Sequence, residues 1–140
     1  MDQPAPPSSA AGLKKPFILV VDDDDIQAQM VCEFLEQAGY RVTTAADGWQ
    51  AVIQAESVKI ELIVSDVIMP GMQGSGIDTY RMLRASHYVR KDLPLIFMTG
   101  SRDVVKKHMS EIARDPRVRI LYKPLDLPKL KAAVTELIGR

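Results

Sequence analysis

The chain has 140 residues, 46% of them hydrophobic and 26% charged, with a formal net charge of zero; that fits one globular domain with a full core. The even charge balance gives no footprint for nucleic acid or an anionic membrane surface, and no apolar run is long enough to span a bilayer. The single cysteine, Cys32, excludes an internal disulfide, and the N-terminus lacks a charged-then-apolar signal pattern, so a cytoplasmic protein is expected.

Met1 to about Lys15 is rich in Pro, Ser and Ala and poor in large apolar residues, so residues 1–15 are expected to form a flexible tail. Phe17 to Val21 is a short branched apolar run, the pattern of a strand buried on both faces. It runs straight into Asp22, Asp23, Asp24 and Asp25. Ile26, Met30, Val31, Phe34, Leu35 and Ala38 then recur at helical spacing, with Asp24 or Asp25 as cap and Gly39 as stop. Arg41 to Ala45 reads as a second strand. Trp49 to Val58 reads as a second helix with Ala51, Val52 and Ala55 inward and Trp49 packed towards the sheet. Glu61 to Ser65 is a third strand ending on Asp66, followed by a Pro70/Gly71/Gly74/Gly76 loop and a helix over Ile77 to Ser86. Leu95 to Met98 is a fourth strand ending on Thr99, and Val104 to about Arg114 a fourth helix. Val118 to Tyr122 is a fifth strand ending on Lys123-Pro124, and Leu127 to Ile138 a last helix with Leu130, Val134, Leu137 and Ile138 on one stripe.

Five strands alternating with five helices mean parallel βαβ units with right-handed crossovers and a three-layer α/β sandwich. In a parallel sheet the strand ends share one edge, where open α/β folds bind their ligands. Asp22, Asp23, Asp66, Thr99 and Lys123 would meet there. Crowded carboxylates repel one another, and the simplest reason for them is a divalent cation. Hard oxygen donors of this kind suit Mg²⁺. A carboxylate beside such a metal can act as a nucleophile and accept a phosphoryl group, helped by a lysine and a hydroxyl that neutralise and position the phosphoryl oxygens. Each signal alone has a plain reading: the Asp22–Asp25 run as acidic residues at a helix N-terminus, Lys123 as a surface lysine, Thr99 as a β-branched strand residue.

With Val-Val-Asp22-Asp23, Ile-Val-Ser-Asp66-Val-Ile-Met-Pro70-Gly, Met98-Thr99-Gly100 and Tyr122-Lys123-Pro124 in order, residues 16 to about 139 resemble the receiver domain of bacterial two-component response regulators. The resemblance implies a flavodoxin-like fold with strand order 2-1-3-4-5 and a receiver domain over 16–140, with no room for a second folded module. It implies a signalling switch, not an enzyme, in which Asp66 accepts a phosphoryl group from a histidine kinase or histidine phosphotransfer protein. Mg²⁺ would be held by Asp23 directly, Asp22 through water, Asp66, and the backbone carbonyl of Ile68. Thr99 and Lys123 would bind the phosphoryl oxygens, and the Lys123–Pro124 bond would be cis. The partners implied are that kinase or phosphotransfer protein and a downstream protein target, with no nucleic acid and no membrane.

Three features depart from the family's pattern. Ile120 occupies the place, three before the lysine, where an aromatic switch residue is usual, and Tyr122 lies next to the lysine instead. Gln73 to Gly76 reads as a short insertion. Ile68 replaces the polar residue that in some relatives helps place water, which implies slow loss of the phosphoryl group. Two other functions compete. A haloacid-dehalogenase-like phosphatase would use Asp22 as nucleophile and Asp24 as acid, although the late acidic pair of that family is missing. A phosphorylation-independent binding module would keep its partner affinity in Asp66→Asn.

Overall fold

Alternation along the strands decides how the sheet is covered. In β1 (Phe17–Val21), Ile18 and Val20 enter one apolar cluster while Leu19 and Val21 enter a second on the opposite face, as a two-residue period requires. The same alternation runs through β3 (Leu62–Asp66) and β4 (Leu95–Thr99), where every residue is buried. The edge strands β2 (Arg41–Ala45) and β5 (Val118–Tyr122) are only partly covered. All pairings are parallel, in the order β2-β1-β3-β4-β5. The computed structural model describes residues 15–67, 76–100 and 110–139, so residues 1–14 of the expected tail lie outside the described residues.

Helices α1 (Asp25–Gln37) and α5 (Leu127–Ile138) cover one face through Val31, Leu35, Leu130, Val134 and Leu137. On the other face lie α2 (Gly48–Ser57), α3 (Gly76–Ala85) and the short α4 (Ser110–Ala113), which contribute Ala51, Ala55, Tyr80, Leu83 and Ile112. This is the expected three-layer arrangement with flavodoxin-like strand order. The expected fourth helix from Val104 falls within the described residues only from Ser110. Among the described residues, no helix is long and apolar enough to cross a membrane.

Two helix faces differ from the sequence pattern. Ile26, expected inward, is 82% exposed and Met30 is also exposed; the inward stripe of α1 is Ala28, Val31 and Leu35. The helix starts four residues after β1 ends, so its first turn projects past the carboxyl edge of the sheet and finds nothing apolar to cover. Trp49, expected against the sheet, is 48% exposed. The inward positions of α2 are Gly48, Ala51 and Ala55, whose small side chains bring the helix close and leave no space for an indole. Trp49 and Ile53, one turn apart, share the outer face.

Asp24 caps α1, its Oδ1 accepting from the N–H groups of Ile26 (3.0 Å) and Gln27 (3.2 Å), and Gly39, with φ of +102°, ends it in a conformation that favours glycine. Gly76 starts α3 packed directly on the strand that carries Asp66. Its N–H donates to Val67 O at 2.9 Å, and a Cβ there would lie 2.9 Å from Val67 Cα and 3.0 Å from Asp66 O. Because these neighbours are backbone, they cannot rotate away. Gly76→Ala is expected to destabilise the protein by about 1–3 kcal/mol in chemical denaturation and to displace the backbone that presents Asp66; unchanged stability would contradict this contact.

A polar link ties α3 to the turn before β5. Asp115 Oδ2 accepts from the Tyr80 hydroxyl at 2.9 Å and Arg84 Nε at 3.0 Å, and Oδ1 accepts from the Arg117 N–H at 2.9 Å. Burial alone would raise the Asp115 pKa, but the Arg117 N–H, the Tyr80 hydroxyl and the Arg84 guanidinium outweigh it and hold the carboxyl below its ordinary 3.8. A lowered carboxyl pKa stabilises the fold above the unfolded value, and that contribution disappears as pH falls through the folded value. Asp115→Asn is expected to cost about 1–2 kcal/mol at neutral pH. The gap between parent and variant should narrow below pH 3.8, as read from denaturation curves across pH; a pH-independent gap would contradict the assignment.

Candidate functional site

The register aligns the strand ends. Val21 pairs with Ser65 and with Ala45, Asp66 with Met98, and Thr99 with Tyr122. The residues just beyond or at those ends therefore share one rim. Asp22 and Asp66 are buried there, and Thr99 is buried at the end of β4. One carboxylate oxygen from each of Asp22, Asp23 and Asp66 falls within a group spanning 4.8 Å, an arrangement able to hold a metal ion. Lys123 Nζ donates to Asp66 Oδ2 at 3.1 Å. The Lys123 N–H donates to Thr99 O at 2.8 Å, which fixes the lysine's backbone to the end of β4. The Lys123–Pro124 peptide is cis.

Among the described residues, three carboxylates against one ammonium leave a net charge of two negatives, matching one divalent cation. Hard oxygens, closely spaced and partly open, fit Mg²⁺, which keeps several waters and takes one or two protein carboxylates. Burial pushes the Asp22 carboxyl up from the ordinary 3.8 and the Asp66 charge adds to that, while the Asp24 N–H, the Gln27 amide and the Lys123 ammonium pull the other way. A cation in the cluster would relieve that strain by compensating the charge.

The structure thus brings together Asp22, Asp23, Asp66, Thr99 and Lys123. Ile68 lies outside the described residues, as do residues 73–75 of the expected insertion; Gly76 is the first residue of α3. Asp24 and Asp25 are exposed and are not among the carboxylates grouped within 4.8 Å. Ile120 packs on the apolar cluster under α2, α3 and α4. Tyr122, two residues further along β5, shares that face by alternation and sits one pleat nearer the rim. Sequence patterns gave no hint of Gln27, whose Nε2 donates to Asp22 Oδ2 at 2.8 Å. A single polar residue in the first turn of a helix carries no periodic signal.

Comparison with known proteins converges on one family. The response regulator receiver domain matches residues 18–135. The DNA-binding response regulator MtrA of Mycolicibacterium smegmatis is 34% identical over 111 residues, covering 79% of this chain and 46% of its own length. The chain thus spans less than half of that relative. Among solved structures, the chemotaxis response regulator CheY4 of Vibrio cholerae is 30% identical with a TM-score of 0.75, covering 89% of this chain and 99% of its own. The receiver domain of a sensor histidine kinase from Pseudomonas aeruginosa PAO1 is 27% identical with a TM-score of 0.75, covering 90% and 99%, and carries a magnesium ion coordinated in its active site cleft.

Proposed function

The chain belongs to the response regulator receiver domain family, and from that premise we propose that it is a phosphoacceptor switch in which Asp66 takes a phosphoryl group from a histidine kinase or histidine phosphotransfer protein. One observation carries the reading: a buried carboxylate at a strand end, clustered with two others and 3.1 Å from a lysine ammonium. In the transfer, an Asp66 oxygen forms a bond to phosphorus while the bond from phosphorus to the donor's imidazole nitrogen breaks. Asp23 and Asp66 would hold Mg²⁺ directly with the Ile68 carbonyl, and Asp22 would hold it through water. When bound, the ion neutralises the phosphoryl oxygens facing the carboxylates. Lys123 moves from an Asp66 oxygen to a phosphoryl oxygen, and the Thr99 hydroxyl donates to another. Both stabilise charge that builds during transfer, with little reorganisation.

We assign residues 16–140 to the receiver domain and 1–15 to a tail, and place the protein in the cytoplasm. Its output is a changed affinity for a protein target, since phosphorylation adds charge at the rim and biases the surrounding surface. Direct contact with nucleic acid is not part of this reading, given the zero net charge. The phosphatase alternative is not favoured: the receiver-domain match covers residues 18–135, and Asp24, its candidate acid, caps α1 through Oδ1. Incubation with acetyl phosphate and Mg²⁺ tests the proposal. Label held on the protein after removal of the donor is expected. Repeated turnover without retained label, abolished by Asp22→Asn but not by Asp66→Asn, would establish the phosphatase instead.

A further inference from the structure

We infer that Gln27 is a positioning residue that fixes the Asp22 carboxylate for magnesium binding. This rests on the receiver reading of the acidic cluster and goes beyond its shared motif residues. Asp22 is 3% exposed and sits among like charges, so its carboxylate needs donors to hold its plane. Among the described residues it has two, one on each oxygen: the Asp24 N–H on Oδ1 at 2.9 Å and the Gln27 amide on Oδ2 at 2.8 Å. The first is fixed by the backbone at the start of α1. The second depends on one side chain.

With one donor on each oxygen, the carboxylate cannot rotate about its Cβ–Cγ bond without breaking a bond. Each oxygen keeps a second lone pair to meet a water or cation. Gln27 itself is held in place, because its own N–H bonds to the Asp24 cap at 3.2 Å. The first turn of α1 and the acidic pocket are thus joined by a cap and an amide on adjacent bonds. Asp66 and Lys123 also act on Asp22 through their charges, but neither is a hydrogen-bond partner of it. Asp22 would meet the ion through a water, so it is itself an outer-shell partner, and Gln27 is the donor that keeps its carboxylate oriented towards that water.

Gln27→Met removes the amide while keeping an unbranched, helix-favouring side chain of similar length, and Gln27→Leu is a second variant. Magnesium binding is read by amide NMR titration with MgCl₂, and phosphorylation by acetyl phosphate is followed against magnesium concentration. Both variants are expected to weaken the magnesium Kd by about tenfold, the low end for lost outer-shell partners, with the phosphorylation rate at saturating magnesium within about twofold of the parent, since ligands and acceptor are intact. Gln29 donates to Glu33 on the exposed face of α1, and Gln29→Leu is expected to leave the Kd unchanged. A magnesium Kd unchanged in both Gln27 variants would overturn the inference while leaving the receiver reading intact. Failure of the parent to bind magnesium or take label at all would overturn the receiver reading itself.

Discussion

Asp66→Asn is expected to reduce labelling by acetyl phosphate and Mg²⁺ to background while the protein stays folded. The amide is isosteric but is not a nucleophile at phosphorus, so the covalent step has no acceptor. Stability should change little. The substitution removes the Lys123 ion pair at 3.1 Å, and it also removes a charge that repels Asp22. The backbone contacts of the position persist: the Ser65 hydroxyl bond to Asp66 O at 2.8 Å and the Val67 N–H bond to Met98 O at 3.1 Å. Intact-mass measurement reads the label, and circular dichroism melting reads the fold. Label retained by a folded Asp66→Asn protein would place the acceptor elsewhere.

Lys123→Ala is expected to slow phosphorylation by about 10²–10³-fold at saturating magnesium, the usual effect of deleting one preorganised donor to developing charge. The loss should fall on the transfer step. Removing the ammonium leaves the carboxylate cluster more negative, so magnesium affinity should hold or rise. That combination, tighter or equal metal binding with slower transfer, separates a role at the phosphoryl oxygens from a general collapse of the site. Its measurement is the rate of acetyl phosphate labelling against magnesium concentration. An unchanged rate at saturation would remove Lys123 from the transfer step.

The sheet and its rim were legible because they depend on covalent order. Apolar runs that end on Asp22, Asp66, Thr99 and Lys123 place those residues at one edge once the sheet is parallel, and the register bears this out. Helix faces were less legible. Hydrophobicity alone put Ile26 and Trp49 inward, whereas the outcome was set by where α1 starts relative to the strand ends and by the small residues that let α2 approach closely. The Gln27 bond to Asp22 and the close packing of Gly76 on Val67 are contacts between specific atoms. Neither residue type nor spacing encodes them, so they become visible only in three dimensions. Ile120 packs on the apolar cluster, and strand alternation puts Tyr122 on the same face nearer the rim.

The most direct test is a crystal structure of the protein with Mg²⁺ and beryllofluoride, which mimics a phosphoryl group on a carboxylate. The expected result is beryllium bonded to an Asp66 oxygen, with fluorides at Lys123 Nζ and the Thr99 hydroxyl. Magnesium is expected at about 2.0–2.1 Å from oxygens of Asp23 and Asp66, with Asp22 behind a water. Beryllofluoride bound at another carboxylate, or metal and fluoride on separate parts of the surface, would contradict a single metal-and-phosphoryl cavity.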